Sequence, residues 1–281
     1  MAGEPDWVPP GVDVKRANTA RVYDYWLGGK DNFAADREAA ELALQAYPQL
    51  AQAVQANRQF LARAVRYLTR EAGLRQFLDL GTGIPAADNT HQVAQREAPD
   101  SRIVYVDNDP VVLLHAAALL RSTSPGVCDY IEADLRDPAQ ILARAARTLD
   151  FTRPVALMLL AIMQFIPDEE DPHGLLSTLL DALPPGSYLV LSHPTDDFNP
   201  NHQGESIKRY NERVTDPATL RDREATAKFF AGLDLLEPGV VGVSQWRPDS
   251  DLVAAMPSSM WCGVARKPGQ RSPGAGGAWA R

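Results

Sequence analysis

Short apolar runs alternate with amphipathic helical segments from Gly73 onward. Of all the sequence features, this alternation places the strongest limit on the possible fold. The runs occupy positions 76–80, 103–107, 128–133, 155–161 and 188–192. Most are nearly continuous in apolar residues, as expected for strands that helices cover on both faces. Repeated strand–helix units of this kind build a parallel sheet. The sequence therefore predicts a doubly wound α/β fold.

Two later segments, 240–246 and 260–265, have the composition of strands and follow each other without an intervening helix. Strands joined in this way pair antiparallel, so we expect them at one edge of the sheet. With the five earlier runs they give a seven-stranded, mostly parallel sheet with an antiparallel edge strand.

The stretch 17–68 carries apolar residues at helical spacing and few strand signals. Gly28 and Gly29 are predicted to end the first helix, because glycine adopts the left-handed conformation without steric cost, and Pro48 separates the next two helices. We expect a helical N-terminal addition or lid at 1–72 and a sheet domain at 73–266. Residues 267–281, rich in Gly, Pro, Ser and Arg, read as a flexible tail.

Charge and cysteine usage argue against a nucleic-acid partner and against a metal site. The chain of 281 residues has a formal net charge of −8 and no long basic run, so no nucleic-acid partner is expected. Cys128 and Cys262 lie far apart without metal-ligand spacing, which predicts reduced core residues and no metal site.

The chain start and the apolar runs also bear on location. The first residues, MAGEPDWVPPGVDV, lack a basic segment followed by an apolar one, so a secretory signal is not predicted. The longest apolar run, 155–163, falls short of the about 20 residues that span a bilayer. We therefore expect a cytoplasmic protein with no membrane partner.

The sequence Asp79-Leu80-Gly81-Thr82-Gly83 stands where the first predicted strand meets the following helix. Glycines at such a turn let the backbone approach a ligand closely, and the helix start supplies unpaired N–H groups. A nucleotide-like ligand fits this position. A simple strand-to-helix turn remains the alternative, since short glycine motifs occur often by chance.

Acidic residues follow three successive predicted strands. Asp79 ends the first, Asp107 ends the second and Asp134 follows the third. The carboxyl ends of parallel strands meet at one edge, where open α/β sheets bind ligands, and a carboxylate there can accept from both hydroxyls of a ribose. Asp109 and Asp137, each before a proline, are instead predicted to be helix N-caps.

The carboxylate just before the glycine turn favours one kind of cofactor over another. A nicotinamide dinucleotide would place its pyrophosphate over this turn, where Asp79 is electrostatically unfavourable. S-adenosylmethionine (SAM) carries an ammonium and a sulfonium, which an anionic pocket stabilises. SAM is the favoured cofactor, and an NAD-dependent oxidoreductase is the less favoured alternative.

These motifs together resemble those of the Rossmann-like SAM-dependent methyltransferases. Three segments, ARVYDYWLGGKDNF (20–33), RQFLD (75–79) and PGSYLVLSH (185–193), are similar to a bacterial S-adenosyl methyltransferase family long catalogued as a domain of unknown function. The wider likeness covers nearly the whole chain.

The resemblance implies roles for individual positions. It places Gly81 and Gly83 against the methionine portion of SAM, Asp79 near its amino group and Asp107 on the ribose hydroxyls. Beside the adenine it places Asn108, Asp134 and the adjacent Leu135.

Candidates for acceptor binding are fewer. Many related methyltransferases carry a histidine just after the fourth strand, where this chain has Gln164. His193 follows the fifth strand and is the one candidate catalytic base, or else a histidine that is merely hydrogen-bonded. Tyr25 and Lys30, with the aromatic residues around them, form either a lid over the cofactor or part of a helical core.

The function predicted from the sequence is SAM-dependent methyl transfer to an unknown small-molecule acceptor. Displacement at a sulfonium methyl needs chiefly alignment and exclusion of water, so it leaves no obligatory catalytic motif. A regulatory or scaffold protein that binds SAM without catalysis fits the same residues. The oligomeric state is not predicted.

Overall fold

The computed structural model describes residues 12–119 and 126–269. The predictions about the first eleven residues and about most of the tail lie outside these ranges. The helices are α1 (Thr19–Trp26), α2 (Ala34–Ala46), α3 (Leu50–Arg70), α4 (Thr90–Glu97), α5 (Pro110–Leu119), α6 (Pro138–Ala145), α7 (Pro172–Asp181), α8 (Gln203–Asn211), α9 (Arg223–Lys228) and α10 (Asp251–Ala254). The strands are β1 (Gln76–Leu80), β2 (Arg102–Asp107), β3 (Val127–Glu132), β4 (Ala156–Leu160), β5 (Tyr188–Pro194), β6 (Asp234–Leu235), β7 (Val241–Gly242) and β8 (Met260–Arg266).

The sheet has the order β3-β2-β1-β4-β5-β8-β6, with β7 pairing to β8. Strands β1 to β5 are parallel, which confirms the doubly wound α/β fold. The antiparallel strand β8 lies between β5 and the short β6, so the described residues form an eight-stranded sheet where seven strands were predicted.

The segment 240–246 was predicted to be one strand, but only β7 pairs with β8. The backbone oxygens of Val243 and Trp246 instead accept hydrogen bonds from the buried guanidinium of Arg63, at 2.6 and 3.0 Å. The pairing with β8 ends after the N–H of Val243 donates to Met260 O at 3.2 Å, and beyond it Arg63 of α3 contacts the backbone of the segment.

Alternate residues of the central strands enter two different cores. Leu78, Val104 and Leu157 pack beneath the face that carries α6 and α7. Phe77 and Ile103 pack beneath the face that carries α3 and α4. Helices therefore cover both faces, which explains why these strands are apolar throughout.

The N-terminal helices are delimited as predicted. Leu27 caps α1 and Gly28 follows with φ of +82°, while Pro48 falls between α2 and α3. The Asp24 carboxylate accepts from the backbone N–H of Asp31 (3.0 Å) and from Asn32 Nδ2 (2.8 Å), which holds the loop after α1. Helices α1, α2, α3 and α8 share a third apolar core.

A buried ion cluster ties α1 to the sheet domain. Arg21 Nε lies 3.4 Å from Asp36 Oδ1 and 4.0 Å from Asp109 Oδ2, and all three side chains are at most 4% exposed. Asp109 also accepts from the N–H of Val111 at 2.8 Å, so it caps α5 as predicted. The start of α5 is thereby linked to the N-terminal helices.

Three further predictions concern individual residues and can be compared with the structure. Asp137 caps α6 by accepting from the N–H of Gln140, as predicted. Cys128 and Cys262 are free thiols. Lys267, where the tail was predicted to begin, is anchored, because its Nζ donates to the backbone oxygens of Leu180 and Leu183, both at 2.7 Å.

Within the described ranges, no helix combines the length and apolar character needed to cross a membrane.

Candidate cofactor and acceptor site

A cavity lies at the carboxyl ends of β1, β2 and β4, between the sheet and the N-terminal helices. The strand ends contribute Asp79, Gly81, Thr82, Gly83, Asp107, Asn108, Leu160, Ala161 and Ile162. The opposite side, which we call the helical wall, consists of Thr19, Ala20, Tyr23, Trp26, Ala43, Leu50, Val54, Asn57, Arg58, Leu61, Gln203, Ser206, Ile207 and Tyr210. Parallel strands and four helices thus enclose one space where α/β folds bind ligands.

The glycine turn after β1 requires glycine for two reasons. Gly81 and Gly83 have φ of +71° and +65°, in the left-handed region that side chains disfavour. A Cβ on Gly81 would also overlap the side chain of Ile162, whereas a Cβ on Gly83 would meet no atom within 4 Å. The backbone at Gly83 therefore faces open space that a ligand can fill.

Asp107 holds the turn to the end of β2. Its Oδ2 accepts from the N–H of Gly83 at 2.7 Å, and its Oδ1 accepts from the N–H of Asp109 at 3.0 Å. Burial raises the pKa of Asp107 to about 6, although these two N–H groups oppose the rise. Any ligand that supplies positive charge or further hydrogen-bond donors would therefore stabilise the charged form of Asp107.

Asp79 lies deeper in the same cavity and is 5% exposed. Its Oδ2 accepts from the hydroxyl of Thr90, in the first turn of α4, at 2.6 Å. Burial raises the pKa of Asp79 to about 6, and the nearby charge of Asp107 adds to the rise. The cavity thus brings together two carboxylates that are costly to ionise without a cationic partner.

Arg58 is a site residue that the sequence analysis missed. It projects from α3 into the cavity wall, and its Nη2 donates to Ala87 O at 3.0 Å and to Asn89 Oδ1 at 3.2 Å. Its Nε is buried and has no partner among the described residues. In the sequence Arg58 belongs to an amphipathic helix and to no recognisable motif. No sequence signal therefore distinguishes it from an arginine on the protein surface.

Asn108, Asp134 and Leu135 line a smaller pocket that adjoins the cavity and shares Gly81 and Asp107 with it. Asp134 Oδ1 accepts from the N–H of Arg136 at 2.8 Å, so the carboxylate is fixed at the end of β3. The structure therefore brings every strand-end residue of the predicted cofactor set to one continuous surface.

His193 is fully buried and does not line the cavity. Its Nδ1 bonds the backbone oxygen of Pro194 at 2.9 Å, its Nε2 lies 2.8 Å from Arg221 Nη1, and its ring stacks on Phe229. Burial lowers the pKa of His193 to about 3. This corrects the predicted catalytic role, because the ring holds Arg221 in the core on the other face of the sheet.

Tyr25 and Lys30 are also not among the cavity-lining residues. The Tyr25 hydroxyl donates to Glu41, and Lys30 is exposed. Tyr23 and Trp26, on the inward face of α1, line the cavity in their place. Helix α1 therefore faces the cavity through Tyr23 and Trp26, and not through Tyr25 or Lys30 as predicted.

Gln164 occupies the position after β4 where the sequence analysis noted the missing histidine. Its Nε2 donates to Ala161 O at 2.7 Å, and Ala161 has φ of +52°, which is rare for a residue with a side chain. The side chain of Gln164 is 6% exposed and lines the cavity. The loop after β4 thus presents an amide where a base was considered.

The chain is similar to known proteins in both sequence and structure. A model of the S-adenosyl methyltransferase family matches residues 5–268. The solved structure of a DUF574 family protein from Streptomyces avermitilis is 46% identical, covers 91% of this chain and 99% of that protein, and superposes with a TM-score of 0.88. A solved structure from Thermobifida fusca, described as a candidate methyltransferase, is 39% identical, covers 94% and 100%, and has a TM-score of 0.86.

One curated relative is more distant. The trans-aconitate 2-methyltransferase of Escherichia coli is 29% identical over 171 residues, which are 60% of this chain and 57% of that protein. The match thus spans little more than half of that relative's length. Because the family model extends over almost the whole chain, the protein belongs to the S-adenosyl methyltransferase family.

Proposed function

We propose that this protein transfers a methyl group from SAM to a small-molecule acceptor. The observation that carries the proposal is a pair of carboxylates on either side of a glycine turn in one cavity, the buried Asp79 and the partly buried Asp107. SAM is a cationic nucleoside, so it supplies the positive charge that these groups need. When bound, it brings a methyl group on a sulfonium that a nucleophile can displace.

The amino-acid portion of SAM fits the groups around the turn. Asp79 accepts from the α-ammonium, while Arg58, whose buried Nε is unpaired within the described ranges, donates to the α-carboxylate. The open space at the Cβ position of Gly83 leaves room for the chain that joins these groups to the sulfur. The opposite charges of Asp79 and Arg58 thus match the two charges of the amino acid.

The nucleoside portion fits the ends of β2 and β3. The carboxylate of Asp107 accepts from the two ribose hydroxyls, since each oxygen keeps a lone pair besides those used by the N–H groups of Gly83 and Asp109. Asn108, Asp134 and Leu135 bind the adenine in the adjoining pocket.

The acceptor occupies the space between the turn and the helical wall. Four helices cover that space, so a compact molecule fits it better than a protein or nucleic-acid segment. Trans-aconitate, the substrate named for the E. coli relative, is a tricarboxylate. This cavity offers it Arg58 as the one cationic side chain among the described lining residues, which argues for a different acceptor.

Two measurements test the proposal. Calorimetric titration should show that the purified protein binds SAM and S-adenosylhomocysteine, with no comparable affinity for NAD. Incubation with methyl-labelled SAM and a metabolite extract should then yield a labelled small molecule. A folded protein that does not bind SAM would refute the proposal, whereas SAM binding without any labelled product would indicate a non-catalytic SAM-binding protein.

A further inference from the structure

Three buried carboxamide side chains surround the cavity: Asn57, Gln164 and Gln203, which are 3%, 6% and 2% exposed. The side-chain oxygen of each is buried and has no hydrogen-bond partner in the described parts of the chain. Buried polar atoms in folded proteins nearly always have a partner, because an unpaired one loses its hydration without compensation. Three unpaired acceptors around one cavity therefore indicate a ligand that donates hydrogen bonds.

The hydrogen bond made by Gln164 shows which atom of its amide is spare. Gln164 Nε2 donates to Ala161 O, which can only accept, so Oε1 is the free atom of this amide. Asn57 Nδ2 donates to the hydroxyl of Tyr23 at 3.0 Å, which leaves Oδ1 free. The Gln203 amide makes no hydrogen bond with the residues that the structure describes.

The charges of the cavity indicate an uncharged acceptor. Among the described lining residues, only Arg58, Asp79 and Asp107 are charged, and all three are assigned to SAM. An acceptor carboxylate or phosphate would therefore be buried without a counter-charge of its own, which is strongly unfavourable.

The helical wall also presents aromatic rings. Trp26 lies between Tyr23 and Tyr210, with ring centroids at 6.5 and 5.8 Å. Leu50 and Val54 extend this surface along α3. A flat or apolar molecular frame packs well against such a surface.

No general base stands ready for the acceptor among the described lining residues. They include no histidine or lysine, and burial raises the pKa values of Tyr23 and Tyr210, so both phenols stay protonated. A carboxamide oxygen can accept a hydrogen bond but takes up no proton at neutral pH. The acceptor must therefore be nucleophilic while neutral, which an amine nitrogen is and a hydroxyl is not.

Resting on the proposed function, we propose that the acceptor is an uncharged amine on an aromatic or apolar frame, whose N–H groups donate to the free oxygens of Gln164, Asn57 and Gln203. The amine lone pair forms the new N–C bond while the C–S bond breaks and its electron pair stays on sulfur. The positive charge moves from sulfur to nitrogen, and the ammonium product then loses its N–H proton to water. The three carboxamides therefore never have to take up a proton.

Matched probes test this proposal in the intact protein. We would titrate 1-naphthylamine, 1-naphthol and 1-naphthoate, with aniline, phenol and benzoate as a smaller set, into protein saturated with S-adenosylhomocysteine. We expect the amine of at least one set to bind about tenfold or more tighter than its carboxylate, the difference that one good buried hydrogen bond makes. With methyl-labelled SAM, the label should appear on that amine and not on the matching hydroxyl compound.

The variant Gln203→Met separates a ligand role from a structural one. Because the Gln203 amide is unpaired within the described ranges, an apolar side chain of similar length should leave the melting temperature unchanged or raise it, and should leave SAM affinity unchanged. Affinity for the amine should fall about tenfold, since one of its acceptors is lost. Gln164→Met serves as a second variant, with the same expectations for amine and SAM affinity.

The outcomes distinguish the two proposals. If SAM binds but no amine in either set binds more tightly than its carboxylate, or if a hydroxyl compound is methylated in preference, the amine proposal is overturned. It is also overturned if both variants bind the amine as wild type does. Failure to bind SAM at all would overturn the proposed function instead.

Discussion

Asp107→Ala is the most direct test of the cofactor site. The carboxylate is proposed to accept from one or two ribose hydroxyls, and a hydrogen bond to a charged acceptor contributes about 1.5 to 3 kcal/mol. We therefore expect a loss of about 2 to 4 kcal/mol in SAM binding, which raises the dissociation constant roughly 30- to 700-fold. Titration calorimetry at pH 7.5 measures this change directly.

The same substitution removes the acceptor for the N–H groups of Gly83 and Asp109, so folding must be controlled. Asp100→Ala is a matched control, because Asp100 is 65% exposed, pairs with Arg75 and precedes β2 at the opposite end of the sheet. It should leave SAM affinity unchanged. An Asp107→Ala protein that melts like wild type and binds SAM equally well would remove Asp107 from the site.

The raised pKa of Asp107 predicts that the difference in SAM affinity between wild type and Asp107→Ala depends on pH. The pKa of Asp107 is about 6 in the folded protein without ligand. At pH 5, roughly one molecule in eleven carries the ionised form, so wild-type affinity should fall about tenfold while the variant loses nothing from this source. The gap between wild type and Asp107→Ala should therefore narrow as the pH falls through 6, and a gap independent of pH would contradict the proposed role of the charge.

Four further outcomes are expected. Arg21→Met leaves the carboxylates of Asp36 and Asp109 buried without their cation, so it should lower the free energy of unfolding by about 3 to 5 kcal/mol in urea titrations. Gly81→Ala combines a strained φ with overlap onto a neighbouring side chain, and should lower the melting temperature and abolish SAM-induced stabilisation. Lys30→Ala should leave SAM affinity within about twofold of wild type, because surface changes away from a site have small effects. The folded pKa of Asp79, about 6, lies above its unfolded value of 3.8, so the ligand-free protein holds the extra proton; its free energy of unfolding should fall as pH rises from about 4 to 6, while the rise in melting temperature that SAM produces should grow.

The parts of the fold that depend on local patterns could be predicted from the sequence. The five parallel strands follow from continuous apolar runs, and the glycine turn and the acids of β1, β2 and β3 follow from their places at the strand ends. The short strand β6 could not be predicted, because two exposed residues carry no periodic signal. The segment 240–246 has strand composition, but Arg63, far away in the sequence, takes its backbone oxygens.

The site was predictable where it depends on strand ends and not where it depends on helices. His193 follows a strand, but it shares its parity with Leu189 and Leu191, so the pleat turns it toward the core on the face opposite the cavity. Its neighbour Pro194 faces the cavity instead. Arg58 reaches the site because α3 packs on the sheet, and Gln203 reaches it because α8 packs on α2. No local pattern in either helix reveals that placement.

The residues proposed to hold SAM and those of the helical wall come mostly from different stretches of the chain. The strand ends lie within 79–135, whereas α2 and α8 touch the cavity only on the proposed acceptor side. Helix α3 also carries Arg58, and Thr19 at the start of α1 also lines the adjoining pocket proposed for the adenine. Substitutions in α2, in α8 and in α1 after Thr19 could therefore redirect which molecule is modified without altering the methyl donor. A family built on this plan can diversify its substrates by changing three helices while inheriting one unchanged half of the reaction.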